Sequence, residues 1–336
     1  MPDEDPLAVT ARHDLVWHGV GWYGLEWDRK PSGLGERLVA NSIERANKRR
    51  LAILKFNPNI ILIAEIRYRD AHARFLPRDH KWWARDDNGR ILKGWAEGGF
   101  LRLDFANPQF RAHIARRAKA VIASGAVDGI MLDWWRDDDY RLALGKAVRA
   151  AIGEKYLIIA NANDRITPKT APYLNGYFME CTRSKTPADW QRIAATLKWA
   201  ERNLRPPQVN CVETWFHKSR NDLNLMRAVT TLTLTHSNGY CLFSDPNPLP
   251  SPDHRHNWYA FWSKSLGKPT GEGQQRSDGS VARQFQKGTV VYNPMGNETV
   301  TVTFSDLRIS RVTGKTGRTH VVNIADGDIY LKVRSN

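Results

Sequence analysis

Val127-Asp128-Gly129-Ile130-Met131-Leu132-Asp133-Trp134-Trp135 is the stretch whose reading decides the fold. A glycine opens a run of three apolar residues, and the run stops on a carboxylate followed by two tryptophans. Short continuous apolar runs bounded by turn signals are the pattern of parallel strands buried on both faces. A strand ending on Asp-Trp-Trp sets an acid and two flat apolar rings at one point. Barrels of parallel strands build their chemistry at the C-terminal ends of those strands. Capping of a following helix, or an ion pair with a neighbouring arginine, is the plainer use of such an aspartate. The choice depends on the rest of the chain.

Similar runs recur on both sides. Strands are predicted over 15–20, 60–66, 100–105, the Asp133 run, 156–161, 176–181, 208–215 and 239–245. Helical segments separate them: 36–54, one starting at Asn107-Pro108, one behind Asp137-Asp138-Asp139, one from Pro187 to the Pro206-Pro207 pair, 221–234 and 258–266. Asn before Pro suits a helix start, and acidic residues suit a helix N-terminus. Eight strand–helix alternations in this span predict a (β/α)8 TIM barrel over residues 1–267. Beyond Gly267-Lys268-Pro269 the period changes to two, as in Thr299-Val300-Thr301-Val302-Thr303-Phe304, with turn signals at Asn293-Pro294, Gly296-Asn297 and Asp326-Gly327-Asp328. Residues 268–336 are therefore expected to form a small antiparallel β-sandwich domain.

Several strands end on a polar residue: Glu65, Asp104, Asp133, Asn161, Glu180, Glu213 and Asp245. Hydrolysis of a glycosidic bond needs two carboxyl groups flanking it with their pKa values pushed apart. On this count Asp133 ends strand four and Glu180 strand six, on one rim with a single strand between them. Strand spacing of about 4.8 Å puts the two backbones roughly ten ångströms apart, which inward-leaning side chains can shorten. Rim donors or Arg136 would keep Asp133 ionised. Phe178 and Met179 ahead of Glu180 would raise its carboxyl pKa. Glu65, followed by Arg67 and Arg69, suits an ion pair. Glu213, before Thr214-Trp215, suits a sugar hydroxyl or replaces Glu180 as the acid.

The chain carries 13 tryptophans. Trp190, Trp199, Trp258 and Trp262 fall on predicted helices and read as packing. Trp134, Trp135 and Trp215 follow strand ends, and Trp82, Trp83 and Trp95 lie in a long insertion over 70–99. Flat rings beside carboxylates and Asn suit the amphipathic faces of sugars. Glu65, Arg67, Asp104, Trp134, Trp135, Asn161, Glu213, Trp215 and Asp245 are the expected substrate contacts.

The formal net charge is +15 over 336 residues. General solubility or an anionic partner would each account for it. The basic residues are spread over predicted helices, with Arg67, Arg69, Arg136 and Arg183 near strand ends, and no nucleic-acid-binding motif appears. No apolar run approaches a membrane span. Cys181, Cys211 and Cys241 lack metal spacing and read as buried thiols. His254-Arg255-His256 reads as surface rather than a metal pair, and no phosphate or dinucleotide loop appears. No cofactor or metal is expected. The acidic, Pro-rich start, Met1-Pro2-Asp3-Glu4-Asp5-Pro6, is neither a signal nor a transit peptide. A periplasmic or secreted location is expected if a signal precedes this chain, and a cytoplasmic one otherwise.

The succession Leu103-Asp104-Phe105-Ala106-Asn107-Pro108, Asp128-Gly129-Ile130-Met131-Leu132-Asp133, Ile159-Ala160-Asn161 and Leu174-Asn175-Gly176-Tyr177-Phe178-Met179-Glu180 resembles glycoside hydrolases of barrel fold, notably the hypothetical glycoside-hydrolase-like family 15. The tail 283–294 resembles the β-domain that often follows such barrels. The resemblance covers most of the chain. It implies hydrolysis of an oligosaccharide or polysaccharide. By analogy with the α-amylase and α-galactosidase superfamilies, it also implies an Asp nucleophile at the end of strand four, here Asp133, and an acid/base on strand five or six, here Glu180. A carbohydrate-binding barrel without catalysis, an inverting enzyme using Glu213, and a basic nucleic-acid-associated protein are the competing readings.

Overall fold

The computed structural model describes residues 4–215, 222–244 and 258–333; for Trp215 and residues 242–244 it describes the backbone alone. The chain divides into two compact units, Met1–Tyr177 with Asn203–Pro207, and Phe178–Arg202 with Gln208–Asn336.

The first unit opens with helix α1 (Pro6–Ala11), strand β1 (Leu15–Gly19), helix α2 (Ala40–Phe56) and strand β2 (Ile61–Glu65). A hairpin of β3 (Asp70–His72) and β4 (Phe100–Arg102) follows, then α3 (Pro108–Ala123), β5 (Gly129–Leu132), α4 (Asp139–Ile152) and β6 (Leu157–Asn161). Strands β1, β2, β5 and β6 pair in parallel in that order. Gly129 is where it must be: a Cβ there would stand 2.5 Å from the Leu157 carbonyl oxygen of the neighbouring strand. The helices start where the sequence says. Asn107 caps α3, accepting from the Gln109 and Phe110 amides, with Pro108 in the first turn. Asp138 caps α4 and accepts from the Arg141 amide. Basic residues of α2, expected on an outer face, are partly drawn in. Arg50 clamps Asp128 with contacts of 2.6 and 3.2 Å, while the same carboxylate accepts the Leu62 amide.

The second unit holds most of β7 (Gly176–Cys181), then α5 (Pro187–Asn203), β8 (Cys211–Trp215), α6 (Leu223–His236) and β9 (Tyr240–Ser244). Strands β7, β8 and β9 are parallel, with Glu180 opposite Glu213 in register. The C-terminal strands are β10 (Gln274–Gln275), β11 (Val281–Phe285), β12 (Gly288–Asn293), β13 (Val300–Ser310), β14 (Thr316–Val322) and β15 (Asp326–Lys332).

Three expectations are corrected. The described residues form seven parallel strands, ordered β1-β2-β5-β6-β7-β8-β9, instead of eight. The segment 100–105 is the difference. Its strand β4 pairs antiparallel with β3 in a separate hairpin, and β2 pairs directly with β5. Leu101 and Leu103 alternate with arginines and an aspartate, the pattern of a strand with one wet face, not of a barrel strand buried on both. Asp133 therefore follows the third parallel strand, not the fourth. The tail is a β-domain, its six antiparallel strands linked in the order β10-β11-β12-β15-β13-β14. Its long β13 slips register between Thr303 and Arg308, pairing with β14 along its length and with β15 at its end. Val291, Val300, Val302, Val322 and Tyr330 form the core that results. The helix expected over 258–266 is only a 3-10 turn, Ala260–Trp262.

Helix α6 is buried nearly all round, from Met226 to Thr235. It packs on β8 and β9 and, in the same unit, on β12 and β15 of the C-terminal sheet. Four threonines tolerate this because each hydroxyl donates to a carbonyl four residues back: Thr230 to Met226, Thr231 to Arg227, Thr233 to Val229 and Thr235 to Thr231, at 2.6–2.8 Å. Gly327 of β15 presses on this helix, and a Cβ there would lie 1.9 Å from the Thr231 hydroxyl.

Candidate active site

The end of β5 in the first unit carries the cluster. Met131 is opposite Glu65 and Ile159, so Asp133, two residues on, faces the same way as Glu65 and Asn161. Asp133 is half-buried. Its Oδ1 accepts from the Asn161 side-chain amide at 2.9 Å and from the Trp134 backbone N–H at 2.8 Å. Oδ2 has no hydrogen-bond donor among the described residues. Burial raises the Asp133 pKa, against the opposing pull of Arg67 and the two donors, with Asp70 adding to the rise. Arg67 takes the part the sequence assigned to Arg136.

Immediately after Asp133 the backbone enters the left-handed region, at φ 56° for Trp134. Such a conformation is uncommon for a bulky residue and marks a position over-determined by its surroundings. The surroundings are visible. The Trp134 carbonyl accepts from the Tyr68 hydroxyl at 3.0 Å and from Arg141 Nε at 2.9 Å. Arg141 is held in turn by Asp138, the cap of α4. The Trp134 ring is 40% exposed, with the Arg69 guanidinium 4.2 Å from its centroid. Trp135 turns the opposite way. It is 1% exposed and donates to the Thr170 hydroxyl at 3.0 Å, so it is core and not a substrate contact.

Glu65 is buried and paired with Arg67 at 2.9 Å, the ion pair its sequence neighbours point to. Arg67 also lies over the Phe100 ring, 4.7 Å from its centroid, and 3.6 Å from Asp70. Asp104, past β4, is half-buried; its backbone amide donates to the Trp82 carbonyl at 2.8 Å. Trp82 and Trp83 of the insertion expected over 70–99 are used in packing. Trp83 is buried and donates to the Pro77 carbonyl, and Trp82 packs on Phe110 and His113.

In the second unit Glu180 and Glu213 are register neighbours on β7 and β8, so their side chains share a face. Glu180 is half-buried and Glu213 is fully enclosed. Phe178 and Met179 ahead of Glu180 are buried. Trp215 ends β8. Asp245 and His254-Arg255-His256 lie outside the described residues. Cys181 and Cys211 are buried thiols and Cys241 is half-buried. Among the described residues no three His, Cys, Asp or Glu side chains are placed to hold a metal ion.

Sequence reasoning missed Tyr68, Asp70, Arg102 and Arg141. Asp70 opens the insertion over 70–99, yet its side chain is 2% exposed and accepts the Trp95 amide at 2.9 Å. The signal available was the Arg67-Tyr68-Arg69-Asp70 run itself, an acid and a tyrosine interleaved with cations directly after a strand.

Parallel strands alternating with helices, followed by an antiparallel β-region, are a fold that solved structures share. The maltogenic α-amylase AmyB of Thermotoga neapolitana matches with a TM-score of 0.60 at 10% identity, over 97% of this chain and 93% of that one. The α-amylase of Lactobacillus plantarum matches at 0.56 and 11% identity, over 97% and 92%. The α-amylase of Geobacillus thermoleovorans, solved with acarbose, matches at 0.53 and 12% identity, over 97% and 90%. At such identities the likeness establishes the fold. No family model and no curated protein sequence matches the chain.

Proposed function

We propose that the protein is a glycoside hydrolase acting on an oligosaccharide or polysaccharide, with residues 1–267 as its catalytic part, as in the family the sequence resembles. Asp133 is the nucleophile and Glu180 the general acid/base of a retaining reaction. The observation that carries this is Asp133 itself: Oδ1 is pinned by Asn161 and the Trp134 amide, Oδ2 is left without a donor, and an exposed tryptophan ring stands beside it. Fixing one oxygen and leaving the other is what a carboxylate nucleophile requires. The amylase-type fold of the solved neighbours, one of them holding acarbose, supports a carbohydrate substrate.

In this reaction an Asp133 oxygen bonds to the anomeric carbon while Glu180 gives its proton to the departing glycosidic oxygen. Glu180 then takes a proton from water, whose oxygen displaces Asp133. Glu180 suits the proton-transfer role better than Glu213, because Glu213 is enclosed and Glu180 is partly open.

One observation favours a second reading. Burial raises the Asp133 pKa. A carboxyl raised in this way gives up its proton less readily, a property the acid needs. Azide rescue separates the two. With Asp133→Ala, a glycosyl azide of inverted configuration supports Asp133 as the nucleophile, and one of retained configuration makes it the acid/base. Near-normal turnover in Asp133→Asn on every glycan cleaved by the parent would defeat both.

A further inference from the structure

Two arginines meet Trp134 directly, and Asp70 links one of them, Arg69, to the strand that carries Arg102. Arg69 covers its ring and Arg141 donates to its carbonyl. Arg136 is two residues along the chain. Arg67 acts on Asp133. Arg102 stands opposite Asp70 in the β3–β4 hairpin, within the fields of Arg69, Arg141, Arg136 and Asp70.

Their partners are unequal. Arg67 has Glu65 and Asp70, Arg69 has Asp70, and Arg141 has Asp138. Arg102 and Arg136 have no side-chain hydrogen bond and no ion pair among the described residues. Arg136 is exposed, where a lone guanidinium costs nothing. Arg102 is half-buried, in the company of three other cations. Burial and the neighbouring cations push its guanidinium below the ordinary value, with Asp70 alone pulling back. Asp70, the carboxylate opposite it in the hairpin, is already held by Arg69 and the Trp95 amide. Partly buried charge without a counter-charge is unfavourable unless a ligand supplies it. Another buried guanidinium shows how the chain can meet such a group. Buried Arg283 donates to three backbone carbonyls and one side-chain amide oxygen.

We infer that Arg102, with Arg136 and Arg69, forms an anion subsite beside Trp134, and that the sugar bound there carries a carboxylate, sulfate or phosphate. This rests on the glycosidase reading above. Guanidinium groups suit all three anions through paired N–H donors, and the tryptophan ring takes the sugar face.

The test is calorimetric titration in the Asp133→Asn background, with four probes: maltotetraose, tetragalacturonate, sulfated maltotetraose and phosphorylated maltotetraose. At least one charged probe is expected to bind tenfold or more tighter than maltotetraose, and which one does so separates carboxylate, sulfate and phosphate. Arg102→Gln should lose about tenfold or more of that affinity, as for a charged hydrogen bond, and Arg102→Lys should keep part of it. Arg136→Gln, at an exposed position, tests the subsite without risk to folding and should lose less, with a weaker salt dependence. The proposal is overturned if no charged probe binds more tightly than maltotetraose, or if Arg102→Gln and Arg136→Gln both bind like the parent. Hydrolysis is not the readout. A chain that binds charged probes through Arg102 yet cleaves no glycan keeps the subsite and loses the glycosidase reading. One that cleaves neutral glycans and is indifferent to charge keeps the glycosidase reading and loses the subsite.

Discussion

Arginine is used in opposite ways at two places in this molecule. Beside helix α6 in the second unit, two guanidinium groups are met by several partners of the chain itself. Arg227 meets both oxygens of Asp326 at 2.7 Å, and Arg283 spends its donors on Gly271, Leu234, Ser237 and Asn238. Around Asp133 in the first unit, cations outnumber their partners, one oxygen of a carboxylate is free, and a bulky residue sits at positive φ. Both places bury charge, but the first meets more of it with partners from the chain. A saturated network holds elements together, whereas an unsaturated one retains capacity for something that is not part of the chain.

The largest expected effect breaks the saturated side. Arg227→Met leaves Asp326, 4% exposed, without its cation. Removing one partner of a buried pair costs about 3–5 kcal/mol. Chemical unfolding should show that loss, and a change under 1 kcal/mol would mean that α6 does not depend on the pair.

Next comes the unsaturated side. Asp133→Asn should lower turnover at least about a hundredfold, equivalent to about 2.7 kcal/mol of barrier, and Glu180→Gln should do likewise. Neither should lower the melting temperature, in contrast to Arg227→Met.

The same aspartate should also leave a signature in stability against pH. Its folded pKa is raised, so the folded state binds the proton more tightly than the unfolded one. The stability it contributes is complete below the ordinary value of 3.8 and is lost as pH rises through the folded value. Asp133→Asn cannot ionise. Its melting temperature should match the parent near pH 3 and exceed it at neutrality. A constant difference across that range would show that Asp133 ionises as easily folded as unfolded.

The smallest effect sharpens the comparison within one dipeptide. Trp134→Ala should raise KM several-fold, since a ring stack is worth about 0.5–1.5 kcal/mol, with little loss of stability. Trp135→Ala should instead cost about 3–5 kcal/mol of stability, as large core truncations do. Equal behaviour of the two would remove the distinction drawn here between an exposed plate and a core residue.

Much of this was legible in the chain. The apolar runs located all seven parallel strands, because most of their residues pack in the interior and need apolar side chains. Asn107-Pro108 and Asp138 marked helix starts through local hydrogen bonds that need no tertiary help. The Glu65–Arg67 pair was readable for the same reason, since both ends lie within three residues. Period two marked the C-terminal strands.

The tertiary structure decided the rest. Leu101-Arg102-Leu103 reads as a strand from its own residues, but whether it joins the parallel sheet or an outlying hairpin depends on which partner its backbone meets, here Asp70–His72. Trp134 and Trp135 are identical letters. One is exposed and the other buried because the chain turns left-handed at the first, a turn held by Tyr68 from a distant segment and by Arg141 of the helix that follows. The same holds for the charge at Asp133. A carboxylate's type is written in the sequence. Its pKa is set by how much water the fold removes and which cation the fold brings near, and that cation is Arg67, not the Arg136 that lies closer in the chain.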